Sequence, residues 1–205
     1  MTPRPMTPRP PPWHPPDQTG PTLDRVREAL AARRARESPR TPDLRPAAVL
    51  VALCPGPHGL EVLLTRRSHE VADHQGQVAF PGGAVDPGDR DSLAAALREA
   101  REEVGLPPDR AQVLGRLDDF PTITGFLVTP WVVQVPSFEG VLPATGEVDA
   151  VFPFPLVWLA DDRHVLRVPW RPGGVPMEVL FIPYGEFLIW GATARILWQF
   201  WEVVR

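Results

Sequence analysis

A chain of 205 residues, 43% of them apolar and 22% charged, supports one full hydrophobic core and falls short of two generous ones. The formal charge of −4 excludes the large basic excess expected of a partner for nucleic acid or an anionic membrane, but a local arginine cluster can still take a small anion. One cysteine, Cys54, excludes an intramolecular disulfide and a paired-thiol zinc site, and on a strand end it is expected to be inert. Met1–Pro16 lacks the apolar stretch of a signal peptide, and the hydrophobic run Phe187–Val204 is interrupted by Arg195, Gln199 and Glu202, so a cytoplasmic protein without a membrane span is expected. All 21 basic side chains are arginine and no asparagine occurs, as strong GC bias in a bacterial genome would produce.

In chain order, residues 1–22 are rich in proline and carry a direct repeat, Met-Thr-Pro-Arg-Pro at 1–5 and 6–10, which reads as a disordered tail ahead of a single domain at 23–205. Leu23–Glu37 switches to helix formers, with Leu23, Val26 and Leu30 at helical spacing. Ala48–Leu53 and Leu60–Thr65, joined by Pro-Gly-Pro-His-Gly, predict a hairpin, and a third strand is predicted over Gln77–Phe80. After Pro81-Gly82-Gly83 and a turn at Asp86–Asp89, a helix is predicted over Ser92–Val104, ending at Gly105. Strands follow at Ala111–Leu117, Phe126–Val135 and Met177–Ile182, with a short helix at Val157–Asp161 and an apolar helix at Trp190–Val204. Helices and strands mix without regular alternation, and no repeat of solenoid length occurs. The class predicted is α+β, an α/β/α sandwich with a mixed sheet.

On the central helix, Glu99, Glu102 and Glu103 stand at i, i+3 and i+4, so three carboxylates share one face. For an isolated helix this pattern is most often a solvated surface, here salt-bridged by Arg98 and Arg101. The bare Gly-Gly backbone just upstream and the acids Asp86 and Asp89 in the connection favour another reading. A hard cation, Mg²⁺ or Mn²⁺, would relieve the repulsion and bridge the carboxylates to substrate phosphates.

The run Gly83–Leu106, ending Arg-Glu-Ala-Arg-Glu-Glu-Val-Gly-Leu, resembles the Nudix box. Asp89 stands where the box usually has glutamate, one residue further from Arg98 than in the common form. Upstream, Leu63–Ser68, Gly76 and Phe80-Pro81-Gly82-Gly83 resemble the signature of the coenzyme A pyrophosphatases within that family, with Ala72 in place of an arginine four residues after Ser68. The one-residue insertion in the box is a feature of that subfamily. Fainter resemblance runs from about Arg45 to the C-terminus, through 124–130 and 189–197.

The resemblance implies a Nudix fold in which Glu99, Glu102 and Glu103, with the Gly82 carbonyl, bind Mg²⁺ or Mn²⁺ and Arg98 orients a carboxylate. Glu103, Glu99 or Glu147 would be the base. Arg66 and Arg67 are candidate phosphate clamps, of which strand alternation allows one to face the site and leaves the other to a surface ion pair. Ser68, His74, Gly76 and Phe80 complete the implied substrate contacts, although His74 would equally pin a loop and Phe80 would equally fill the core. Trp158, Trp170, Trp190, Trp198 and Trp201 read as an adenine platform, core or homodimer interface. The implied reaction cleaves coenzyme A or its derivatives to 3′,5′-ADP and 4′-phosphopantetheine. ADP-ribose, a dinucleotide or a damaged nucleotide is the alternative substrate, and a Nudix module that binds nucleotides without turnover is the non-enzymatic one.

Overall fold

The computed structural model describes residues 20–39, 41–68, 75–171 and 176–205. The tail up to residue 19, Ala72 and His74 therefore lie outside the described residues. In chain order the elements are α1 (Leu23–Ala31), β1 (Arg45–Gly56), β2 (Gly59–Arg67), β3 (Val78–Ala79), β4 (Gly82–Ala84) and α2 (Ser92–Val104). There follow β5 (Gln112–Arg116), β6 (Phe120–Pro121), β7 (Phe126–Gln134), β8 (Val148–Pro155), β9 (Leu166–Trp170), β10 (Met177–Tyr184), β11 (Phe187–Trp190) and α3 (Gly191–Val204).

The continuous apolar run of β1 explains its central place, since such a strand must be covered on both faces. Ala48, Leu50, Ala52 and Cys54 point to one face and Ala47, Val51 and Leu53 to the other, each set buried in its own core. β1 runs antiparallel to β2 and parallel to β7, and these three carry the remaining strands of a mixed eight-stranded sheet. Helix α2 covers one face with Ala95, Ala96, Ala100 and Val104. The other face is covered by α1 through Val26 and Leu30, by α3, and by the small antiparallel sheet β9–β10–β11. This is the α+β arrangement of an α/β/α sandwich with a mixed sheet. Among the described residues no helix is long and apolar enough to cross a membrane.

Three expected helices differ in extent or kind. α1 ends at Ala31 rather than Glu37, because tertiary bonds replace the next helical turn: Asp118 accepts from the Arg33 guanidinium at 2.5 Å and from the Arg36 amide at 2.8 Å, and Asp119 accepts from the Ser38 amide at 3.0 Å. The helix expected from Trp190 starts one residue later, after Phe187–Trp190 has paired as β11 with β10. The expected Val157–Asp161 helix is a 3₁₀ turn over Leu156–Ala160.

Leu50 is fully buried between α2 and the sheet centre. Leu50→Ala should cost about 2–5 kcal/mol of stability, read by chemical denaturation. An unchanged midpoint would contradict the placement of β1 at the centre.

Candidate active site

Helix α2 begins where the Asp91 side chain accepts the Ala94 amide at 2.8 Å, and it ends at Gly105, whose left-handed φ of 67° closes the last turn. Three-residue β4 lies between this helix and β1, pairing Gly82 with Val49 and Gly83 with Ala48. A Cβ on Gly82 would stand 2.4 Å from the Ala48 carbonyl oxygen and 2.7 Å from the Val49 Cα. On Gly83 it would stand 2.6 Å from the Glu99 carboxylate. Gly82 is thus dictated by close approach to the strand backbone, whereas at Gly83 the neighbour is the end of the Glu99 side chain. The Gly82 amide donates to Glu103 Oε2 at 3.1 Å.

Electrostatics sets the three glutamates apart. Glu103 is 7% exposed, and burial pushes its carboxyl up to about 7 against the opposing pull of the Gly82 amide. Burial likewise raises Glu99, with the Arg98 guanidinium opposing, while Glu102 is open to solvent. Arg98 binds both oxygens of Asp89 through Nε and Nη2, each at 3.0 Å. Its Nη1 reaches Glu99 at 2.9 Å and Glu102 at 3.2 Å, and Nη2 also donates to the Ala84 carbonyl at 3.3 Å. The Asp89 carboxyl is lowered chiefly by this pairing with Arg98. Among the described residues no three carboxylates converge on a point to which they could ligate a metal, because Arg98 ties Glu99 and Glu102 while Glu103 turns to the Gly82 amide.

Of the other expected residues, Arg67 and Glu147 join this group. They pair at 3.5 Å, and the positive charge of Arg67 lowers Glu103 while the negative charge of Glu147 raises it. The Arg67 Nε is buried without a hydrogen-bond partner among the described residues. Ser68 is buried, and its amide donates to the Glu147 carbonyl at 2.7 Å. Gly76, with a φ of 66°, donates to the Arg67 carbonyl at 3.1 Å and so closes the end of β2 against the start of β3.

Arg66 is directed elsewhere, to Asp149 at 2.9 Å and Glu186 at 3.6 Å, with its guanidinium 5.4 Å from the Phe187 ring centre. Phe80 corrects the expectation of a substrate contact: at 3% exposed it packs in the core beneath α3. Trp158, Trp198 and Trp201 are also core, whereas Trp170 and Trp190, each 41% exposed, line an apolar groove of about 680 Å³ with Phe120, Met177 and Phe181. Cys54 is buried, and burial pushes its thiol up, away from reactive thiolate. The sequence left Asp89 open as a partner for Arg98, being shorter than the usual glutamate and one residue further away; the structure makes the pairing with both carboxylate oxygens.

Residues 44–169 match the NUDIX domain. A Salmonella dublin protein described as the uncharacterized Nudix hydrolase NudL is 41% identical over 179 residues, 86% of this chain and 91% of that protein. A protein of the same description from Photorhabdus laumondii is 42% identical over 163 residues, 78% of this chain and 86% of that one. Among solved structures, the M. smegmatis Nudix hydrolase RenU is 26% identical, with a TM-score of 0.48 over 57% of this chain and 74% of that chain.

Burial of Glu103 has a consequence for stability in the metal-free protein. Its folded-state carboxyl, at about 7, lies above the ordinary 4.5, so between these values the folded chain holds a proton that the unfolded chain releases. Stability should therefore fall as pH rises through this window and level off above it. Glu103→Gln should flatten that fall and raise Tm at pH 8 in EDTA; a Tm at or below wild type there would contradict it.

Proposed function

The chain belongs to the Nudix hydrolases, and from that premise we propose that it cleaves the diphosphate of coenzyme A or its derivatives, releasing 3′,5′-ADP and 4′-phosphopantetheine. The family's members are hydrolases of phosphoanhydride bonds that generally use divalent metal ions, and this chain retains the acidic helix that such chemistry needs. One observation carries the reading: two carboxyls raised by burial are gathered at the Gly82-Gly83 backbone, Glu99 filling the place of a Gly83 side chain and Glu103 accepting the Gly82 amide.

The donor set suits a hard divalent cation in its chemistry, being all oxygen on one helix face, and a cation would take Glu99 and Glu102 from Arg98 and Glu103 from the Gly82 amide. Glu99, Glu102 and Glu103, with the Gly82 carbonyl, would hold Mg²⁺ or Mn²⁺. When bound, the ion neutralises the phosphate oxygens that otherwise repel a nucleophile. Arg98, fixed by both oxygens of Asp89, neutralises Glu99 and Glu102 while no cation is bound and keeps the two carboxylates side by side. Arg67 supplies the positive charge for a phosphate oxygen, its Nε having no partner of its own among the described residues. Ser68 and Gly76 hold the end of the strand that carries Arg67. We assign proton removal from the attacking water first to Glu103, because burial already brings its proton affinity near neutrality. Glu99 and Glu147 are the alternatives that single variants separate. The coenzyme A assignment rests on Leu63–Ser68 with Gly76–Gly83. A second copy of the chain is the partner we assign to the exposed Trp170 and Trp190.

A substrate panel of coenzyme A, ADP-ribose and a dinucleoside polyphosphate, each with Mg²⁺ and Mn²⁺, tests this function. Coenzyme A should be cleaved, with kcat falling about 10²–10⁴-fold in Glu103→Gln and cleavage also impaired in Glu102→Gln. Selective cleavage of ADP-ribose would overturn the substrate, and full activity in both variants would overturn the site.

A further inference from the structure

The two adjacent arginines at the end of β2 face opposite ways, Arg66 with Leu64 and Arg67 with Leu63 on the α2 side, and the pairing of β2 with β8 is irregular between them. Arg66 stands opposite Ala150 and Arg67 opposite Val148, so the register slips by one residue between them and Asp149 is the extra residue on β8. Such a bulge re-aims the side chains beyond it, and bulges recur beside active sites for that reason. Here the carboxylate of the bulged Asp149 accepts from Arg66 Nε at 2.9 Å. The same guanidinium reaches Glu186 in the turn between β10 and β11 and lies over Phe187. Immediately past the bulge, Arg67 pairs with Glu147, and the Ser68 amide bonds the Glu147 carbonyl.

We propose that Arg66 is a positioning residue: its ion pair with Asp149 locks the β8 bulge and thereby holds Glu147 on the acidic-helix side, where it pairs with Arg67 and fixes that guanidinium. Without the lock the bulge can migrate along β8, and a one-residue slip there would turn Glu147 to the opposite face and take it from Arg67, which the alternation of β2 keeps on the α2 face with Leu63. Glu186 and Phe187 hold the outer side of the same guanidinium, so the small sheet braces the active-site strand from the far face. Arg66 touches no substrate on this account. The assignment of Arg67 to a substrate phosphate rests on the function proposed above, whereas the lock itself does not.

Two readouts separate these claims. In amide exchange on the intact protein, Arg66→Met and Asp149→Asn should each speed exchange at Ser68 by on the order of tenfold, with α1 unchanged and Arg66→Lys intermediate. Unchanged exchange at Ser68 in both variants would overturn the lock, whatever the substrate. In kinetics with the diphosphate that wild type cleaves fastest, Arg66→Met and Asp149→Asn should raise KM by on the order of tenfold with little change in kcat, and Arg66→Lys should recover part of the loss. The double variant Arg66→Met/Arg67→Met should be no worse than Arg67→Met alone, because the first substitution acts through the second residue. Multiplying effects would mean that Arg66 contacts substrate itself and would overturn the proposal. Should Arg66→Met fail to fold, Arg66→Lys and Asp149→Asn carry the same comparison.

Discussion

The site depends on one close contact, the passage of Gly82 and Gly83 between the central strand and the acidic helix. On one side the strand backbone comes so near that a methyl group at Gly82 would overlap the Ala48 carbonyl; on the other the Glu99 carboxylate occupies the place of a Gly83 side chain. This contact sets the distance from α2 to the sheet, buries Glu103, and supplies the amide that Glu103 accepts. A larger residue at Gly82 would have to displace the strand backbone, and one at Gly83 would turn the Glu99 carboxylate out of its place. The small alanines of α2, Ala95, Ala96 and Ala100, allow the same near approach on the helix side.

Around that contact the charges are graded. Asp89 grips Arg98 with both oxygens, and the free nitrogen of the fork spans Glu99 and Glu102. A planar guanidinium suits this role because it can bind a bidentate partner and still donate elsewhere, which a lysine ammonium could not match in geometry. Aspartate in place of the usual glutamate, one residue further along, still reaches Arg98. Further round, Arg67 and Glu147 give Glu103 one neighbour of each sign. The result is a cluster whose acids are partly compensated at the rim and least compensated where the backbone is bare.

Much of this was legible in the sequence, for identifiable reasons. α2 was read to its first and last residue because alanines and charged helix formers end at a glycine, so local preference and tertiary structure agree. The spacing of Glu99, Glu102 and Glu103 gave a common face without further information. α1 was overextended because Arg33–Glu37 favours helix locally, and nothing nearby in sequence announces that Asp118 and Asp119 will claim its amides. β8 was missed because Pro153 and Pro155 weaken the strand pattern, and β9 is a short exposed strand containing Pro169. Alternation required one of Arg66 and Arg67 to turn away. Which one followed from the same alternation once Leu63 was placed against α2 and Leu64 in the opposite core, and only the tertiary structure decides which face α2 covers.

The central claim is that the helix acids and the glycine backbone make one divalent-cation site for a diphosphate. Titration of Mn²⁺ into the apo protein, followed by electron paramagnetic resonance of the free ion, tests it without substrate. Wild type should take up Mn²⁺, and Glu99→Gln, which leaves the fold's buried Glu103–Gly82 bond in place, should lose most of that uptake. Equal Mn²⁺ binding by wild type and Glu99→Gln would contradict it.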